Sequence, residues 1–253
     1  MKYLKKKLLF SLGVQPLGGD LEYHAYQYLY YRTSEFEPGS VRNAVNELVG
    51  ERLVDKLKRN QHSWFRITAS GREVLLKNLP SLARQEPWDK HWRLVIIVAK
   101  IGAFLRPLQR QLQLLGYRRL SRGVYVCAAN ISNVTRERLI QKHWLNQTIM
   151  IESRRLFGVD DQQLARNIWQ LEPLGEQYDQ FITLSQRLLS SSRHNLVLLQ
   201  QAKFGFKAVF DQYFKLLCHD PALPKALLPP NWAADAGREL FLRLVELAKT
   251  AKI

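Results

Sequence analysis

The chain has 253 residues, enough for two or three small domains with cores of their own. Hydrophobic residues make up 46% and charged residues 24%, an ordinary globular balance, and no stretch approaches the ~20 apolar residues that would span a bilayer. The charge is not ordinary: 38 Lys and Arg against 22 Asp and Glu leave +16, a field that attracts polyanions and puts nucleic acid first among partners. An anionic membrane surface comes second and an acidic protein third. The surplus is uneven, with 15 basic and 10 acidic residues in 1–90, 12 and 2 in 91–158, and 11 and 10 in 159–253.

In chain order, Tyr3 to about Val14 carries Leu4, Leu8, Leu9 and Leu12 at helical spacing. The short run Leu8-Leu9-Phe10 is broken at Gly13 and lacks a small-residue cleavage site, so it reads as a first amphipathic helix and not a signal peptide. A cytoplasmic location is expected. Pro16, Gly18 and Gly19 end that helix, and Asp20 is expected to cap a second one running to about Arg32. There Tyr23, Tyr26 and Tyr30 share a face, and core packing is the simpler account of them than base stacking. Pro38 suits the first position of a third helix to about Glu51, with Val41, Ala44, Val45, Leu48 and Val49 facing inward. Two short strands around Asn60-Gln61-His62 follow, then a helix from Ser70 and Gly71 to about Leu79. Three helices followed by a basic hairpin is the order of a winged helix-turn-helix, here spanning residues 1–80.

Pro80 to Pro87 reads as a linker. Beyond it the pattern predicts a buried strand Trp92–Val98, a helix Leu105–Leu115 closed by Gly116, a hairpin around Ser121-Arg122, a helix near Val134–His143 and a strand from Thr148 to about Phe157. The order β-α-β-β-α-β is that of a ferredoxin-like domain over 88–158. From 159 to 253 everything reads as helix, punctuated by Ser190-Ser191-Ser192 and by Pro221, Pro224, Pro229 and Pro230. The fold class expected is therefore α+β, with a winged helix, a ferredoxin-like middle and a helical C-terminal domain.

On the third helix, the face opposite the apolar one presents Ser40, Arg42, Asn43 and Asn46, with Gly39 and Gly50 leaving room for a close approach. Asn pairs bidentately with adenine and Arg with guanine in the major groove. The bland alternative is a solvated helix face. The hairpin carries Lys56, Lys58, Arg59, His62 and Arg66, suited to phosphate or minor-groove contact, or simply to a charged edge that discourages aggregation. In the middle domain Arg106, Arg110, Arg118, Arg119, Arg122, Arg154 and Arg155 have almost no acidic neighbours in sequence. They are either further nucleic-acid contacts, a solvated rim, or partners for C-terminal acids.

Catalytic signatures are missing: no Gly-x-Ser-x-Gly elbow, no phosphate loop and no dinucleotide glycine pattern. The six histidines show no ligand pairs at helical spacing, and Cys218-His219 are adjacent, so their side chains diverge on a helix. Cys127 and Cys218 read as reduced, mostly buried thiols. No enzyme, metal or cofactor is expected.

Several stretches taken together resemble the PaaX family of transcriptional repressors. They are Ser40-Val41-Arg42-Asn43-Ala44-Val45, His62-Ser63-Trp64-Phe65-Arg66-Ile67-Thr68, Trp88-Asp89-Lys90-His91-Trp92-Arg93, Leu115-Gly116-Tyr117, and Gly123-Val124-Tyr125-Val126. Further on, Leu164-Ala165 with Trp169 and Leu171, the Pro-rich loop from Asp220-Pro221 to Asn231-Trp232, and Arg238-Glu239-Leu240-Phe241 continue the likeness. The resemblance implies a homodimer on an inverted-repeat, double-stranded DNA operator, released by an effector bound in the central and C-terminal regions. In the best-known relatives that effector is an aryl-acyl-CoA, and Trp92, Trp144, Trp169 and Tyr178 are aromatic candidates for a pocket or for core. One departure is Val98-Ala99-Lys100, where the family usually has an acid and a Pro-containing turn; the related small CRISPR-adaptation proteins tie a metal near that point, and without a carboxylate a nuclease role has no ligand to start from. The alternative to an operator-binding repressor is a nucleic-acid-binding scaffold or regulator of a CRISPR or other defence locus, using the basic central domain.

Overall fold

A helix from Tyr3 to Gly13 (α1) opens the chain, and its apolar side is wholly buried through Leu8, Leu9, Phe10 and Leu12. The computed structural model describes residues 1–14, 23–83, 87–98, 102–156, 158, 160–191 and 199–250. The start expected at Asp20 for the second helix lies outside them. Among the described residues, a two-residue strand, β1 (His24–Ala25), precedes α2 (Tyr26–Arg32). The reading of Tyr23, Tyr26 and Tyr30 as one core face needs correcting: Leu29 and Arg32 are buried while Tyr30 is exposed. Pro38 occupies the first turn of α3 (Pro38–Gly50), whose Val41, Ala44, Val45 and Leu48 are buried at the expected spacing.

The hairpin consists of β2 (Val54–Arg59) and β3 (His62–Ile67), antiparallel, with Arg59 opposite His62. Asn60 and Gln61 close it with φ of 46° and 64°, the two positive values of a type I′ turn, whose twist suits a two-residue hairpin. β1 pairs with β3 and gives a sheet ordered β1-β3-β2. The helix α4 (Ala69–Asn78) follows, capped by Thr68, whose hydroxyl accepts a hydrogen bond from the Gly71 backbone N–H. Gly71 is required by packing, because a Cβ there would sit 2.1 Å from the Leu53 carbonyl oxygen. Helix, strand, helix, helix and wing make the winged-helix topology.

The second sheet is built from β4 (Trp92–Ile97), β5 (Arg118–Ser121), β6 (Val124–Cys127) and β7 (Thr148–Ser153), in the order β5-β6-β4-β7. With α5 (Leu105–Leu114) and α6 (Ser132–Gln141) as crossovers, this is the ferredoxin-like arrangement. Gly116, with φ of 96°, stands just past α5 as the pattern requires. Val95, Ile97, Tyr125 and Cys127 pack with Leu108, Leu112 and Leu139. The other face is covered by α7 (Asp161–Trp169) and the Pro-rich loop, through Leu94, Val126, Leu164, Leu223 and Leu227. Asp160 caps α7 by accepting from the N–H groups of Gln162 and Gln163.

Three more helices complete the chain: α8 (Leu171–Ser191), α9 (Leu199–His219) and α10 (Ala234–Thr250). The chain divides into two compact units where three segments were expected. One comprises Met1–Ala83, Glu176–Asp220 and Ala233–Ile253, and the other Arg84–Gly175 and Pro221–Trp232. The helical C-terminal third is thus split, with most of α8, α9 and α10 belonging with the winged helix and α7 with the ferredoxin-like sheet. In the first unit Phe10 of α1 packs on Phe210, Phe214 and Phe241, at centroid distances of 4.9, 5.2 and 5.9 Å. Tyr178 donates to Asp220 at 2.6 Å in the same unit.

The Trp-Asp-x-x-Trp-Arg stretch acquires a physical role in the second unit. Arg93 is 3% exposed and is held by Asp89 through both carboxylate oxygens. Trp92 donates its indole N–H to Asp161 at 2.7 Å, fastening β4 to α7, and Trp88 meets it edge to face. The Arg93 hydrogen bonds pull the Asp89 carboxyl down to about 2 from the usual carboxylate value. A depressed folded-state value means that this pair stabilises the fold above about pH 4 and is lost as the pH falls through 2. Because the Asp89 side chain is 34% exposed, solvent limits its contribution to about 1 kcal/mol. Asp89→Asn is expected to be less stable than the parent at pH 7 by about that amount, the gap closing as urea melts are repeated toward pH 2. A gap independent of pH would show that the carboxylate charge is not the stabilising element.

Candidate nucleic-acid interface

The candidate interface is built on α3 and the hairpin, both of the first unit. Burial of Val41, Ala44, Val45 and Leu48 dictates which side of α3 faces out, and Ser40, Arg42, Asn43 and Asn46 are all exposed on it. Among the described residues none of these four side chains has a hydrogen-bond or salt-bridge partner. A Cβ built at Gly39 or Gly50 would meet nothing within 4 Å, so no internal packing demands glycine at either position. Both stand at the ends of α3, where glycine costs a helix less than it does in the middle.

The pose of α3 is fixed from behind by lysines of α1. Lys5 bridges Glu47 and Glu51, both at 2.7 Å, and its hydrogen bond to Glu47 holds that carboxyl below its usual value. One ammonium is thereby shared between an acid of α3 and the acid that follows its last residue. Lys7, only 1% exposed, bonds Glu35 in the α2–α3 turn and lies 2.7 Å from Asp211 of α9. Lys207 joins the same group through Asp211 at 2.6 Å and Glu35 at 3.4 Å. Two lysines and two carboxylates thus lock the turn that aims the helix. Sequence reasoning missed this cluster; the one signal for it was a lysine placed directly before the apolar run Leu8-Leu9-Phe10.

The wing residues fall into two groups. Lys56, Lys58, Arg59 and His62 are exposed. Arg59 and His62 face each other across the tip, and Lys58 stands opposite Ser63. Arg66 is different: its guanidinium donates to Asp55 at 2.9 Å and lies 4.6 Å from the Tyr23 ring centre. It braces the root of the hairpin and offers little free charge.

The seven central arginines do not converge. Arg118 and Arg119 lie on opposite faces of β5, as their pairing with Val126 and Tyr125 requires, and Arg122 sits in the turn beside them. Arg154 and Arg155 follow β7, the opposite edge of the sheet, and Arg154 donates to His91 at 3.2 Å. Arg106 and Arg110 are exposed on α5. The aromatic effector candidates are mainly core: Trp92, Trp169 and Tyr178 are buried, and Trp144 is half-buried against the sheet core. Cys127 is buried, and burial pushes its thiol up to about 11; Cys218 is half-buried. Among the described residues no three His, Cys, Asp or Glu side chains gather as a metal ion would need, and no helix is long and apolar enough to cross a membrane.

Together these parts define an α+β chain with a winged helix, a ferredoxin-like sheet domain and long C-terminal helices. Residues 169–252 match the family described as the PaaX-like protein C-terminal domain, the family that the motifs of the sequence resemble. No curated protein matches it. Among solved structures the chain is similar to the uncharacterised protein Rv0674 from Mycobacterium tuberculosis, with a TM-score of 0.50 and 18% identity over 97% of each chain. At that identity the likeness concerns the fold.

Proposed function

We propose that this protein is a sequence-specific DNA-binding transcriptional regulator, a repressor that occupies an inverted-repeat operator as a homodimer and acts in the cytoplasm without catalysis. The observation that carries the reading is the exposed face of α3, where Asn43, Asn46, Arg42 and Ser40 stand without partners among the described residues, beside a hairpin tipped with Lys58, Arg59 and His62. In this reading α3 enters the major groove and reads base edges, while the wing positions the protein on phosphates. The PaaX-like C-terminal domain supports a regulatory role, and release by a small-molecule effector such as an acyl-CoA belongs to the same proposal. The scatter of the seven arginines over two sheet edges and a helix favours no separate track for nucleic acid across the central domain, which weighs against the defence-locus scaffold.

The test begins with selection of bound duplexes from a random pool, which yields a preferred site and its symmetry. On that site Asn43→Ala is expected to lower affinity about 10- to 100-fold, with little change on a scrambled duplex, because a good base contact is worth about 1–3 kcal/mol of discrimination. Arg59→Ala is expected to weaken both duplexes alike. Two variants that behave identically on matched and scrambled DNA would remove α3 as the reader.

A further inference from the structure

Within the first unit, α1, α4, α9 and α10 enclose a cleft of about 160 Å³. Its floor and walls are mostly carbon, from Phe10, Leu75, Tyr213 and Phe241, while Arg72 of α4 and Arg238 of α10 also line it. Among the described residues neither guanidinium pairs with a carboxylate. Arg238 lies close enough to the Tyr213 ring for its charge to oppose the upward push that burial exerts on that phenol. Both guanidinium groups are half-buried on this largely apolar surface, with the Asp220 and Asp235 carboxylates acting on the same Tyr213 phenol, and a bound anion would give the two cations a direct partner. We propose that this cleft is a binding site for a small apolar carboxylate, the hydrocarbon body resting on Phe10, Leu75 and Phe241 and the carboxylate meeting Arg72 and Arg238.

Size selects within that class. An apolar cavity of about 150 Å³ holds a benzene ring, whereas drug-sized ligands fill about 300–1,000 Å³. The cleft therefore suits a single-ring or short-chain acid, and a coenzyme thioester could not be buried in it whole. Planar guanidinium groups take carboxylate and phosphate alike through paired N–H donors, so it is the apolar body resting on Phe10, Leu75 and Phe241 that separates a carboxylic acid such as benzoate from inorganic phosphate. The site stands independently of whether the winged helix binds DNA.

Titration of the full chain with benzoate, in the absence of DNA, tests this by calorimetry and ligand-observed NMR. Benzoate is expected to bind at millimolar or tighter affinity, and benzamide and inorganic phosphate at least tenfold more weakly. Arg238→Gln and Arg72→Gln are each expected to weaken benzoate at least tenfold. Leu76→Trp fills the rim from a side chain that is 40% exposed, and blocks binding with both arginines intact and the fold undisturbed by circular dichroism. Failure of benzoate to bind, equal binding of benzamide, or retention of binding in Leu76→Trp would each overturn the proposal.

Discussion

Replacing Glu35 and Asp211 together by alanine is expected to lower the stability of the protein by about 3–5 kcal/mol, because it strands the buried Lys7 ammonium without a counter-charge. In a chain of this length that corresponds to a fall of about 10 °C or more in Tm. The reasoning turns on which partner is removed. Lys7 is 2% exposed in its side chain, whereas Glu35 and Asp211 are 39% and 23% exposed, so the carboxylates can turn to water and the ammonium cannot. Lys7→Met keeps the length and volume of the stem, leaves Lys207 to serve both acids, and is expected to cost only about 1–2 kcal/mol. Thermal and urea melts of the two variants decide the matter. If Lys7→Met proved the more damaging, the ammonium would be stabilising the fold in some way other than as a desolvated charge needing partners. Because Glu35 sits in the turn before α3, the same cluster connects a stability measurement to the aim of the proposed reading helix.

That cluster also marks where the sequence stopped being informative. Elements defined by local periodicity were legible: α3 from Pro38 and its apolar stripe, the β2–β3 hairpin from its alternation and polar tip, and the βαββαβ order from the run at Trp92 and the glycine after α5. The strand β1 was not, because two residues, His24 and Ala25, are too short to show any period, and only the pairing with Phe65 and Trp64 makes them a strand. Helices α9 and α10 were visible as helices. Their association with α1, through Phe10 against Phe210 and Phe241, is a pairing about 200 residues apart that no local pattern encodes. The same limit hid the fates of charges. Lys7 and Arg66 look alike in a count of basic residues, yet one is buried between two acids and the other is tied to Asp55. Of the candidate interface, the polar face of α3 could be read from helical geometry, and the free wing charge only by subtraction of Arg66.

The wing subtraction leads to a large effect on binding. The triple variant Lys56→Ala, Lys58→Ala, Arg59→Ala is expected to reduce the slope of log K against log salt by about 0.9 for each phosphate that goes unneutralised, or nearly 3 if all three side chains contribute. At physiological salt that amounts to a weakening of about 100-fold, equal for preferred and scrambled duplexes, since counterion release carries no sequence information. Arg66→Ala serves as the contrasting case. Its guanidinium is already occupied by Asp55 and the Tyr23 ring, so its removal should loosen the hairpin while leaving the slope unchanged. The type I′ tip at Asn60 and Gln61 is untouched in every variant, so the hairpin turn is preserved and a change in slope reports charge at the interface. An unaltered slope in the triple variant would move the electrostatic footprint away from the wing. With Lys5 and Lys7 neutralised by acids and the central arginines divided between two edges, the +16 charge would then need another path to the phosphates, and the positioning role assigned to the hairpin would fail even if Asn43 still read bases.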